Sequence, residues 1–331
     1  MVLALTVAAV IHASVATRFD VPGMAAQAPD LSASSAPRAD RDELMRVVRT
    51  LAAPELGGRR TGTPGGLAAR RFIRDAFEDL GLSPTLQPFS FEHSNASGAG
   101  EPGGSRAERS PTTAYQDAAN VIAIQQGSRA DGRTIVVSAH YDHVGVRDGV
   151  VYPGADDNAS GVAALLAVGR YLHAHPPAHR VVLAAFDAEE LGQQGAAAFL
   201  RNPPVPRSSI GLNVNLDMVS RNDHNEIFAA GTYHTPALKG VVDQVQRRSA
   251  VTIRLGHDRP MTGAGAPEDW TLQSDHGEFH KTGIPFLYLG VEDHADYHKP
   301  TDTADKISPT FFGAVVDMLI DVVVTADQTV N

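Results

Sequence analysis

From Asn120 onward, short β-branched runs alternate with helical stretches, and this alternation constrains the fold more than any other feature of the chain. Residues 121–124 (Val-Ile-Ala-Ile), 134–139 (Thr-Ile-Val-Val-Ser-Ala), 180–186, 210–216 and 284–289 are short and apolar, and they read as strands, several of them buried. Residues 161–172, 190–200, 236–248 and 309–325 read as the helices between and after them. Strands that alternate with helices pair in parallel and are covered on both faces. The expected fold is therefore α/β, a three-layer α/β/α arrangement around a mostly parallel, mixed sheet.

Ahead of this region, Asp40 is placed to cap a helix through Ala53, with Leu44, Val47, Val48 and Leu51 on one apolar face. A glycine-rich turn fills residues 57–66. Pro64 begins a second helix, carrying Ala68, Phe72, Ile73, Phe77 and Leu80 and closed by Gly81. Residues 86–91 read as an edge strand, because Pro88 cannot donate to a ladder. Residues 94–113, rich in Gly, Ser, Pro and Ala, read as a mobile surface loop.

Residues 1–17 are apolar and lack charged side chains. About sixteen apolar residues fall short of the roughly 20 that a membrane span needs, and they suit a signal-peptide core. Small-residue cleavage candidates lie at 14–16 and 26–28, although no Lys or Arg precedes the apolar run, which leaves an uncleaved anchor or a start assigned too late as the alternatives. Residues 1–28 are read as a signal peptide or anchor, 29–39 as a linker and 40–331 as a single domain. An exported protein, periplasmic or secreted and with no stable membrane span after processing, is expected.

Composition then removes whole classes of chemistry. The 331 residues carry 28 Lys and Arg against 38 Asp and Glu, a net charge of −10 with no basic block, which argues against a nucleic-acid partner. With no cysteine, thiolate metal sites, disulfides and cysteine nucleophiles are excluded. No glycine-rich nucleotide fingerprint is present. Any metal must be held by His and carboxylates.

Ligands of an open parallel sheet sit beyond the carboxyl ends of its strands. His140 and Asp142, two apart, end the 134–139 strand and point the same way along an extended chain. Asp156 and Asp157 lie in Gly-Ala-Asp-Asp-Asn-Ala-Ser-Gly before the next helix. Glu189 and Glu190 follow the 180–186 strand, Asp217 ends the 210–216 strand, and His298 follows the 284–289 strand. Taken singly, each has a plain explanation, such as Asp157 capping a helix or the Glu pair opening one. Together they offer two His, two Asp and one Glu as ligands on one sheet edge, with a second Glu adjacent, a donor set that fits paired zinc. Asp157 suits a carboxylate bridging two cations. Glu189 is placed as a base beside Glu190 as ligand, and Asp142 as a brace for His140. His143 matches no ligand position and is read as facing away from that pair.

These residues, with Leu216-Asp217-Met218, Ser274-Asp275-His276 and Tyr297-His298-x-Pro-x-Asp-Thr, resemble the co-catalytic dizinc aminopeptidases, the group of bacterial leucyl aminopeptidase and aminopeptidase Y. The likeness runs from about Leu51 to the C-terminus. It implies the zinc-peptidase (phosphorylase/hydrolase-like) fold for residues 40–331 and two Zn²⁺ per chain. One zinc would take His140 and Asp217, the other Glu190 and His298, with Asp157 between them. It further implies Glu189 as general base and later acid towards a zinc-bridging water, Asp142 orienting His140, and a cis peptide at Asp157–Asn158. The substrates would be peptides with a free N-terminus. Residues 262–270, with Asp275, His276 and Tyr297, are expected to shape the substrate pocket.

Two other classes share parts of this pattern. Glutaminyl cyclases, single-zinc acyltransferases, share the fold and His-Tyr-Asp but lack the consecutive acidic pair seen at Asp156-Asp157. Non-catalytic binding domains of this type lose ligands, and none is lost here. Exopeptidases with an inserted dimerisation domain need about a hundred more residues than the stretch from Asp217 to His298 provides.

Overall fold

The computed structural model describes residues 38–94, 112–129, 132–260 and 267–329. The signal-peptide, anchor and linker readings of residues 1–37 and the loop reading of residues 95–111 lie outside the described residues.

In chain order the elements are α1 (Arg41–Leu51), α2 (Pro64–Asp79), β1 (Thr85–Ser94), β2 (Thr112–Gln125), β3 (Thr134–His140), β4 (Gly145–Arg147), β5 (Val150–Tyr152), α3 (Gly161–Ala174) and β6 (Arg180–Phe186). They continue with α4 (Gln194–Arg201), β7 (Ile210–Leu216), β8 (Glu226–Ala230), α5 (Leu238–Gln246), β9 (Thr252–Leu255), α6 (His276–Lys281), β10 (Phe286–Gly290) and α7 (Pro309–Thr329). Asp40 caps α1 as expected, its carboxylate accepting the Asp42 and Glu43 amides. Pro64 opens α2, and Gly81 follows it at φ +79°, a left-handed angle that favours glycine.

Eight strands form one mixed sheet in the order β1-β2-β6-β3-β7-β10-β8-β9, while β4 and β5 make a separate hairpin. The centre, β6-β3-β7-β10, is parallel, and β1, β2 and β8 run against their inner neighbours. Side chains alternate across the sheet. Val182, Ala184 and Phe186 of β6 meet Phe199 of α4 and Phe279 of α6 on one face. Leu183, between them in sequence, points the other way and packs against α3 at Gly169, where an added Cβ would lie 2.9 Å from Leu183 Cδ1. Helices therefore cover both faces, as the alternation implies. The 21-residue α7 is long and apolar enough to cross a membrane by composition, yet here it packs against α1, α3 and α5 as a core helix.

Three departures from the sequence reading have clear causes. Strand β2 starts at Thr112 rather than at 121, because its first half alternates exposed and half-buried residues instead of forming an apolar run. Helix α4 starts at Gln194, not 190, because Ala188 and Gln193 adopt left-handed backbone angles and residues 187–193 turn sharply. Elements β4, β5, β8, β9 and α6 span only three to six residues, too short for periodicity to register.

Candidate metal centre

The parallel strands end on the polar residues singled out above. β3 delivers His140, and its ladder with β6 continues as the Tyr141 amide donates to the Phe186 carbonyl at 2.8 Å. The loop after β6 turns back at Ala188 (φ +59°) and carries Glu189 and Glu190. Asp217 directly follows β7, and His298 lies beyond β10 at φ +52°. The segment at 155–160 is irregular, with the Asp157–Asn158 peptide cis, as the family resemblance implies.

Two sets of side chains converge, and Asp157 belongs to both. His140 Nε2 lies 3.3 Å from Asp157 Oδ1 and 3.2 Å from Asp217 Oδ1. On the other side, His298 Nε2 lies 3.0 Å from Asp157 Oδ2 and 3.3 Å from Glu190 Oε1. One carboxylate oxygen of Asp157 thus faces each set. Donors about 2.0–2.2 Å from a tetrahedral zinc lie about 3.3–3.5 Å from one another, so these separations fit two cations. Glu190 Oε1 is buried without a hydrogen-bond partner among the described residues, as an atom reserved for a metal would be.

The electrostatics agree with that use. Burial opposes ionisation of Asp157, but the imidazoles of His143, His140 and His298 outweigh it and hold the carboxyl well below its usual range. Glu190 is held down to about 2, because His143 and His298 overcome burial and repulsion from Asp157. Glu189 differs: burial, with Asp275, Glu190 and Asp217 nearby, pushes its carboxyl well above the usual value against the pull of His140. Glu189 lines the cavity over the cluster, together with Trp270, Tyr297, Met218, Tyr288 and Asp293. A carboxylate with raised proton affinity, set beside the ligands rather than among them, is suited to accept and return a proton.

Asp142 braces the centre differently from expectation. His140 Nδ1 donates to the main-chain carbonyl of Asp142 at 3.2 Å, while the carboxylate lies 3.8 Å away. This leaves His140 Nε2 as the metal-facing atom. The Asp142 carboxylate instead accepts the Glu189 amide at 2.9 Å, which fixes the loop that carries Glu189 and Glu190.

Among the residues expected to shape the pocket, Tyr297 and Trp270 line the cavity; residues 261–266 lie outside the described residues. Asp275 and His276 do not line it. Both are fully buried in and before the short α6. His276 Nε2 donates to the Trp270 carbonyl at 2.8 Å, and its ring packs on Phe286 and Tyr288, so it shapes the pocket only by holding Trp270. Burial pushes His276 from 6.5 down to about 3. The unfolded chain takes up a proton at about pH 6.5 that the folded chain refuses. Stability should therefore be intact above about pH 6.5 and fall as the pH drops towards about 3. His276→Phe should flatten that slope, measured as urea midpoints between about pH 7 and pH 5.

His143, read as matching no ligand position, falls in one of the two donor sets. Its Nδ1 lies 2.7 Å from Glu190 Oε1 and 3.6 Å from Asp157 Oδ2. Strand β3 stops at His140 and residues 141–144 belong to no strand, so period-two alternation does not carry through to His143. Arg59 was also missed. It is fully buried at φ +52° and donates to the carbonyls of Leu51, Tyr141, Pro153, Gly154 and Asp157. Its only signal was a place in the glycine-rich turn.

With this geometry in view, comparison with known proteins is decisive on family. The Peptidase family M28 model matches residues 120–323. The chain belongs to peptidase family M28. It is 30% identical over 225 residues to the uncharacterized protein YfbL of Escherichia coli, covering 58% of this chain and 66% of that one. It is 31% identical over 205 residues to the aminopeptidase YwaD of Bacillus subtilis, with 58% of this chain and 41% of that one covered. The chain thus spans less than two thirds of the length of either relative. Among solved structures, the aminopeptidase from Aneurinibacillus sp. strain AM-1 superposes with TM-score 0.69 at 19% identity, covering 86% of this chain and 93% of that one. The glutaminyl cyclase of Porphyromonas gingivalis gives 0.67 at 18%, covering 87% and 99%. At these identities the structural likeness speaks for the M28-type fold.

Proposed function

We propose that this M28 member is a dizinc aminopeptidase that removes N-terminal residues from peptides. The observation that carries the reading is the pair of donor sets sharing Asp157, with Glu189 beside them on the cavity wall. His140, Asp157 and Asp217 would hold one zinc, and Asp157, Glu190 and His298 the other. Bound there, zinc supplies an acidified water and a polarised scissile carbonyl. Glu189 takes the proton at its carboxylate and returns it to the leaving amine. Asp142 holds the Glu189 main chain, so that the base keeps its position through the proton transfer. Glu268 and Asp293, on the cavity wall but outside both donor sets, favour the ammonium of a free peptide N-terminus over a blocked one.

The glutaminyl cyclase reading shares the fold, but it calls for one zinc, whereas two donor sets are present. Metal analysis of the purified protein should give about two zinc ions per chain. A value near one would favour the cyclase. With zinc loaded, unblocked aminoacyl arylamides should be hydrolysed and N-acetylated ones should not, and a chelator should abolish the reaction. Hydrolysis of blocked and free substrates alike would exclude aminopeptidase action. The exported destination suggested by residues 1–28 supports extracytoplasmic peptides as the proposed substrates.

A further inference from the structure

We infer that His143 is a direct ligand of the zinc held by Glu190 and His298, so that the two metal positions are unequal. The inference rests on the proposed dizinc reading and deepens it. His143 is fully buried, and its ligand nitrogen lies within 4.8 Å of every other donor atom of that set. Its distances of 2.7 Å to Glu190 Oε1 and 3.6 Å to Asp157 Oδ2 bracket the roughly 3.3–3.5 Å expected between two donors on one zinc.

A plainer role would be an ion pair in which His143 merely orients Glu190. The geometry speaks against it. Neither His143 Nδ1 nor Glu190 Oε1 has a hydrogen-bond partner among the described residues, although the two atoms lie close together. Set 2.7 Å apart but out of hydrogen-bond alignment, with His298 Nε2 3.3 Å from the same Oε1, the two atoms suit a shared cation better than a mutual pair. The backbone is also shaped to admit the ring. Gly154 sits at φ +60°, and a Cβ there would lie 2.1 Å from the Asp157 carbonyl oxygen and 2.5 Å from His143 Cγ and Cδ2. A side chain at 154 would crowd both the imidazole and the main chain of Asp157.

The consequence is a division of labour. His143, Asp157, Glu190 and His298 make four protein donors, as many as a tetrahedral zinc takes, so that ion is held tightly. His140, Asp157 and Asp217 make three and leave a position free for reactants. The His140 ion is the one that should exchange more readily.

Zinc-edge X-ray absorption on the two-zinc wild-type protein tests the assignment without any variant. It should count three imidazoles for two zinc ions; two imidazoles for two zinc ions would overturn the ligand role of His143 while leaving the dizinc reading intact. A protein that binds no zinc would overturn both. In parallel, chelator competition on His143→Ala and His143→Asn should show one of the two zinc ions lost at about 100-fold lower chelator concentration, with the other unchanged. Retention of both ions at wild-type affinity in variants whose zinc-free forms melt like the wild type would likewise overturn it.

Discussion

Glu189→Gln is expected to lower hydrolysis of a free aminoacyl arylamide by about 10²–10⁴-fold while both zinc ions stay bound. The substitution keeps the size of the side chain and its amide anchor to Asp142, and removes only the capacity to take a proton. Because Glu189 stands beside the donor sets rather than within either, metal content should not change. Glu190→Gln is the contrasting control. It replaces a donor whose Oε1 meets both His143 and His298, so zinc should be lost along with activity. Loss of zinc from Glu189→Gln would mean that Glu189 is a ligand, and retained activity would remove it as the base. The loss should fall on kcat, since the proton transfer belongs to the transition state and not to binding.

The sheet was legible because its central strands are buried on both faces and so appear as uninterrupted apolar runs: β6 and β7 were expected with their observed ends, and β3 to within one residue. Where burial is one-sided, as in the first half of β2, the apolar run disappears and so does the signal. The convergence of His140, Asp157, Glu190, Asp217 and His298 was legible for a topological reason, since parallel strands bring their carboxyl ends to one edge. What sequence spacing could not carry was orientation beyond a strand end. His143 and the turn at 187–193 both depend on backbone angles set by long-range contacts, such as the Asp142 carboxylate on the Glu189 amide. Asp275 and His276 were expected at the pocket from the family resemblance, yet polar residues also serve buried structural roles, and His276 is one that holds the Trp270 carbonyl.

Arg59→Met should destabilise the zinc-free protein by on the order of 3–5 kcal/mol, read from urea unfolding. The guanidinium joins five carbonyls from segments far apart in the chain: the end of α1 at Leu51, the turn after β3 at Tyr141, and the 153–157 loop. Methionine fills the volume but leaves those buried carbonyls unpaired. Burial lowers Arg59 to about 10, with Asp157, Asp302, Asp142 and Glu190 opposing the fall, so it stays charged at neutral pH. It is thus a fixed cation behind a cluster of carboxylates that would otherwise repel one another. Arg59→Lys separates the two contributions. Lysine keeps the charge but offers three donors from a single point, whereas the planar fork of arginine reaches acceptors in several directions. If charge is what matters, Lys should recover most of the stability. If the carbonyl network is what holds the 153–157 loop, Lys should fall close to Met. The spread of the five acceptors around the fork favours the second outcome, with added zinc restoring part of the lost stability in both variants through binding to the folded state alone.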